Sequence, residues 1–111
     1  MDGRLPTEMW IKAHLRRLSV EGIGAVVVRR GEAMGGSVVL KLNQRELGCR
    51  VLSQARAPDG ALGWLAAFEG RSVAEAEADA YIDRATRRDP DLWVLEIDDR
   101  AGRNPFEGRV L

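Results

Sequence analysis

The stretch Asp89-Pro90-Asp91-Leu92-Trp93-Val94-Leu95-Glu96-Ile97-Asp98 constrains this chain most, because a proline stop is followed at once by a short run that is apolar at both parities. A strand with one wet face would alternate. Here Leu92 and Val94 oppose Trp93, Leu95 and Ile97, so residues 92–97 read as a central strand covered on both faces. It comes last among the predicted elements, and the sheet built earlier in the chain must leave a slot for it.

A chain of 111 residues buries roughly two-thirds of its unfolded surface, which sets the expectation of one domain over 1–111, with 99–111 an exposed C-terminal turn and tail. No apolar run approaches the roughly 20 residues of a membrane helix. Asp2, Arg4 and Pro6 stand where a secretory leader would be apolar, so a cytoplasmic protein is expected, with no membrane partner. The single cysteine, Cys49, fits a reducing compartment. The formal net charge is zero, yet residues 1–56 hold 10 Lys/Arg against 5 Asp/Glu while residues 57–111 hold 7 against 12. In so small a domain the two halves interleave, and a basic half can find its counter-charges in its own chain.

In chain order, Thr7 is the candidate N-cap of a helix over 7–21 with the apolar stripe Ile11, Leu15 and Leu18, closed by Gly22 as the left-handed C′ residue. Four segments with strand composition follow: 25–30, 37–42, 47–56 and 61–68. They are separated by Gly31, Gly35-Gly36, Asn43 to Glu46 and Pro58-Asp59-Gly60. Ser72-Val73-Ala74-Glu75 matches a capping box and opens a helix over 73–88 with the stripe Ala74, Ala78, Tyr81, Ile82 and Ala85. The predicted fold class is therefore α+β, with topology α-β-β-β-β-α-β. A meander of the first four strands and a right-handed crossover give a five-stranded antiparallel sheet in spatial order 5-1-2-3-4, with both helices on one face.

The residues that could carry chemistry are few. His14 is the only histidine, one turn from Arg17, and reads as a structural group at the edge of a core stripe. Cys49, beside Arg50 on an alternating strand, reads as a small buried apolar group. The acids Asp89, Asp91, Glu96, Asp98 and Asp99 resemble a metal-binding nuclease set only superficially, since Asp98 stands where a lysine is needed, and they read as caps and strand ends. No phosphate loop, dinucleotide fingerprint or Cys-x-x-Cys occurs, and no cofactor or metal is expected.

Leu5-Pro6-Thr7-Glu8-Met9-Trp10 with Ala13 and Leu15-Arg16-Arg17, then Val28-Arg29-Arg30-Gly31, and finally Asp89-Pro90-Asp91-Leu92-Trp93-Val94 resemble the bacterial domain of unknown function 1491 family over nearly the whole chain. The resemblance implies a bacterial protein of similar size and carries over no catalytic residues.

On this reading two helices leave one sheet face bare. Arg29, Val39, Lys41, Arg50, Leu52 and Gln54 are then the candidate interaction surface of a small regulatory or interaction module that forms a homodimer or meets a protein partner through a sheet face or an edge strand. In such a dimer the arginines of one copy approach Asp98-Asp99 of the other. In the competing arrangement Phe106, Val110 and Leu111 fold back over the patch. The alternative function is nucleic-acid binding by a basic stripe of Arg16, Arg17, Arg29, Arg30 and Arg50, with Lys41, Arg45 and Arg56 extending it. An enzyme ranks third.

Overall fold

A computed structural model describes residues 5–111; Asp2 and Arg4, on which the reading of the N-terminus drew, lie outside the described residues. The α+β expectation holds. The elements are α1 (Thr7–Val20), β1 (Gly24–Arg29), β2 (Val38–Asn43), β3 (Cys49–Arg56), β4 (Leu62–Ala66), α2 (Glu75–Arg88), β5 (Trp93–Asp98) and β6 (Arg109–Val110). Among the described residues no helix is long and apolar enough to cross a membrane.

The spatial arrangement differs from the predicted one. The sheet has six strands in the order β1-β5-β2-β3-β4-β6 and is mixed. β5 pairs antiparallel with β1, as expected, but it also lies parallel to β2, and β6 lies parallel to β4. The order 5-1-2-3-4 fails because β1 and β2 are not hairpin neighbours. The connection between them spans two strand spacings, about 10 Å, and wraps the entrance of β5. Gly31 and Gly36 make this wrap sterically feasible: a Cβ at either position would lie 2.2 or 2.3 Å from the Asp91 carbonyl oxygen. Glu32 N donates to Asp91 O (3.0 Å), Trp93 N to Ser37 O (2.9 Å) and Trp93 Nε1 to Glu32 O (2.8 Å). The slot that β5 requires is thus built by the β1–β2 loop.

Side-chain alternation then divides the core into two layers. Trp93, Leu95 and Ile97 join Val38, Leu40, Leu42 and Leu52 beneath Ile11 and Leu18 of α1. Val94 joins Val39, Cys49 and Val51 beneath Ala78, Ile82 and Ala85 of α2. The helices therefore cover opposite faces, not one, because β5 sits in the interior with apolar residues at both parities and each face needs a cover. Residues 99–111 leave most positions exposed but dock through Phe106, which is 5% exposed, and through β6. Phe106 joins the layer under α1, while the opposite face is covered by α2.

Local signals were partly overridden. Gly22 has φ +77°, and Gly22 N and Ile23 N donate to Ser19 O and Leu18 O, as a C′ glycine should. The capping box does not form. Val73 instead exchanges backbone hydrogen bonds with Cys49 (2.8 and 2.9 Å), which holds the chain extended through Ala74, and the Ser72 hydroxyl turns to Gln44. Thr7 is inside α1; its hydroxyl donates to Gly36 O (2.8 Å), while Thr7 N and Glu8 N reach Met34 O and Ala33 O. The β4–α2 link turns left-handed over Phe68, Glu69 and Gly70 (φ 54°, 55° and 80°), held by Arg50, whose Nε donates to Gly70 O (3.1 Å).

Trp93→Ala is expected to destabilise the fold by about 3–5 kcal/mol, through the cavity and the stranded Glu32 carbonyl, and urea denaturation measures it. Glu69→Gly is expected to stabilise by about 0.5–1 kcal/mol in the same assay, since glycine adopts this φ without penalty.

Candidate functional site

The six residues of the expected surface are distributed through the molecule. Val39 and Leu52 are 1% and 0% exposed, and they lie on opposite faces because Val39 pairs with Ser53 while Leu52 pairs with Leu40. Arg29 Nη1 donates to Pro90 O (2.9 Å) and Leu92 O (2.7 Å), fastening β1 to the entrance of β5. Arg50 adds Gly102 O (3.0 Å) to its bond with Gly70 O, and Gln54 Oε1 accepts from Val38 N (3.0 Å).

Lys41 is the exception among charged groups. It points from the middle of β2 into the layer under α2, only 6% exposed. Its ammonium lies 2.7 Å from Glu75 Oε2, 2.8 Å from Asp79 Oδ1 and 3.5 Å from Glu96 Oε1, so each of its three N–H donors faces a carboxylate. Asn43 Nδ2 donates to Glu96 from the other side (2.9 Å). Burial alone would pull the ammonium's pKa down, but hydrogen bonds to Asp79 and Glu75 and the charge of Glu96 outweigh it, and the pKa ends above its ordinary value. A lysine held so firmly protonated is neither nucleophile nor base near neutrality. Its geometry clamps α2 to the sheet and leaves a surplus of negative charge at the surface.

The other candidates behave as structural groups. Burial pushes the Cys49 thiol up, against the opposing pull of Lys41, and Cys49 is 1% exposed, so its thiol is not an activated nucleophile. Arg17 Nη2 donates to His14 Nδ1 (3.1 Å), and burial together with the Arg17 charge lowers the pKa of the ring. Asp89 Oδ1 accepts from Asp91 N, Asp98 pairs with Arg45 (3.0 Å) and Asp99 with Arg103 (3.0 Å). Among the described residues no group of three or more His, Cys, Asp or Glu is placed to hold a metal ion. The arginines of the expected stripe are scattered from α1 to both ends of the sheet: Arg17 reaches Pro105 O, Arg30 lies over Trp93 (5.3 Å) and beside Glu8 (3.3 Å), and Arg56 reaches Gly60 O.

Two features were not foreseen. One is a cleft of about 820 Å³ between the start of α1, the β1–β2 loop and the ends of β3 and β4, walled by Trp10, Met34, Gln54, Arg56, Leu62 and Glu107. Five separate segments build it, so no local signal could have announced it. The other is the edge of β1, where Val26 and Val28 are 59% and 56% exposed because the layer under α2 takes in residues of β2, β3 and β5 but none of β1.

The family described as Protein of unknown function (DUF1491) matches residues 5–107. A crystal structure of a DUF1491 family protein from Caulobacter crescentus CB15 is 40% identical, with a TM-score of 0.84 over 97% of this chain and 100% of that one. An NMR structure of a DUF1491 family protein from the same organism gives 41% identity and a TM-score of 0.79 over 96% of each chain. The solution structure of protein Atu0922 from A. tumefaciens gives 26% identity and a TM-score of 0.71 over 86% of each chain. No curated protein matches the chain.

Neutralising one of the three carboxylates around Lys41 is expected to cost about 1 kcal/mol or less, because two anions remain. The triple change Glu75→Gln, Asp79→Asn, Glu96→Gln strands a buried cation and is expected to cost about 3–5 kcal/mol. In that variant burial alone acts on Lys41 and depresses its folded-state pKa. The lost stability should therefore return as pH rises towards the pKa of an unfolded lysine, which denaturation at pH values from about 7 to 10 would read.

Proposed function

We propose that this chain, which belongs to the DUF1491 family, acts as a small interaction module that self-associates through the free edge of β1. The observation that carries this reading is the contrast between the two edges of the sheet. β6 has two residues, and beyond it the side chain of Leu111 lies against Gly63. β1 has six, and from Gly24 to Val28 it contains neither charge nor proline, the devices by which edge strands are normally kept from pairing. Its one irregularity, a bulge at Val28, leaves Gly24 to Val27 in regular register with β5.

The partner that fits this edge is a second copy. Antiparallel pairing of a strand with itself is self-complementary about a two-fold axis. The entrance of β1 carries two carboxylates, Glu21 just before it, paired with Arg17, and Asp98 opposite Gly24, paired with Arg45, whereas Arg29 and Arg30 stand at its exit. A two-fold arrangement sets the carboxylates of one copy against the exit arginines of the other, and the valines left bare by α2 meet across the axis. This keeps the expected approach of arginines to Asp98 but moves it from a sheet face to a sheet edge. A heterologous extended segment is the competing occupant.

Sedimentation velocity from about 1 to 200 μM is expected to show a monomer–dimer equilibrium, weakened at least about tenfold by Val26→Lys with Val28→Lys, a change of about 1.4 kcal/mol or more. Both side chains are exposed, so the variant should keep its circular dichroism and melting temperature. A wild-type chain that stays monomeric throughout, or a double variant that dimerises equally well, would remove this reading.

A further inference from the structure

The C-terminal strap, residues 104–111, is held by a set of contacts that converge on α1. Phe106 stacks on Trp10 (ring centroids 5.4 Å apart, planes at 25°) and meets the edge of His14 (5.2 Å, 62°). Trp64 Nε1 donates to Glu107 O (2.9 Å), and Leu111 N donates to Trp64 O (2.8 Å) as β6 joins β4. Arg17 ties these together: Nη1 donates to Glu21 (2.8 Å), while Nη2 donates both to Pro105 O (2.7 Å) and to His14 Nδ1 (3.1 Å). A guanidinium has only donors, so the contact exists only while Nδ1 carries a lone pair, with the ring neutral and its proton on Nε2.

We propose that His14 is a pH-sensitive latch, in which a proton taken up from solvent at Nδ1 ejects the Arg17 guanidinium and releases the strap from β4. A protonated ring would set a donor against a donor and a cation against a cation, on the residue that holds the Pro105 carbonyl. Among the described residues the charged groups acting on the ring are Arg17 from α1 and Glu107 from the strap, with Glu21 reaching it only through Arg17; Trp64, from β4, is neutral. Burial and Arg17 depress the ring's pKa and Glu107 opposes them, leaving it below the ordinary 6.5. The held state thus binds the proton less readily than the released one. Above about pH 6.5 both are neutral and the strap is fully held, and the balance moves to release as pH falls below that value. Release would free the edge of β4, uncover Trp64, which is 0% exposed, and remove the Glu107 wall of the cleft.

Amide exchange by NMR, corrected for intrinsic rates, tests this at pH values from about 7.5 to 5. Protection of Leu111 is expected to fall about tenfold or more, in a step below pH 6.5, while Leu95 in β5 falls less. His14→Gln, neutral and still able to accept from Arg17, is expected to abolish the step, and its Leu95 protection reports whether it is folded. Arg17→Met is expected to lower Leu111 protection at every pH and flatten the profile. An unchanged Leu111, a step that persists in His14→Gln, or parallel losses at Leu111 and Leu95 would each overturn the latch.

Discussion

The whole arrangement depends on the backbone of Asp91 to Trp93 being gripped by the loop between β1 and β2. That grip places β5 between two strands that would otherwise pair with each other, and every other feature follows from where β5 stands. Because β5 is interior, both faces of the sheet must be covered. Because both faces are covered, α1 and α2 separate to opposite sides, and each is too narrow to span its whole face. The layer under α1 is completed by Phe106 and Trp10, which makes the strap part of the core. The layer under α2 is not completed at β1, and the bare valines there are the remainder.

Electrostatics follows the same interleaving. The basic first half and acidic second half of the chain meet as ion pairs within the fold: Lys41 with Glu75, Asp79 and Glu96, and Arg45 with Asp98. Much of the sequence asymmetry is thereby neutralised within the fold. What persists is local, around α2, where three carboxylates meet one lysine. Charge pattern along a chain predicts a field in space only when the halves stay apart, and a crossover connection guarantees that they do not.

The parts of this structure legible in the sequence are those fixed by local chemistry. Two-sided apolarity marked Trp93 to Ile97 as interior, Gly22 ended α1, and Pro58-Asp59-Gly60 turned β3 into β4, with Gly60 at φ +85°. Strand order was not legible, because pairing partners are chosen by long-range contacts that leave no periodic trace. The clue lay in Gly31 and Gly36, readable as punctuation but in fact the positions where the loop crosses another backbone. The capping box at Ser72 was a sound local signal that lost to the bridge between Val73 and Cys49. Of the candidate surface, Lys41 was read as an exposed charge framing a sheet face, yet it is buried, at 6% exposure. Its role was misjudged, since the three carboxylates that hold it come from α2 and β5.

That β5 is both interior and late has a consequence for biosynthesis. β2 is complete at Asn43, but its neighbour on one side is not finished until Asp98, about 55 residues later. At about 5–20 residues per second, roughly 3–11 seconds pass in which β1 and β2 exist with nothing between them. During that interval Val38, Leu40 and Leu42 have no native cover from β5, and the glycine loop encircles no strand. The nascent chain is an open clamp, able to close only when its last interior segment arrives, and it is in this window that a chaperone or a neighbouring nascent chain would find it most receptive.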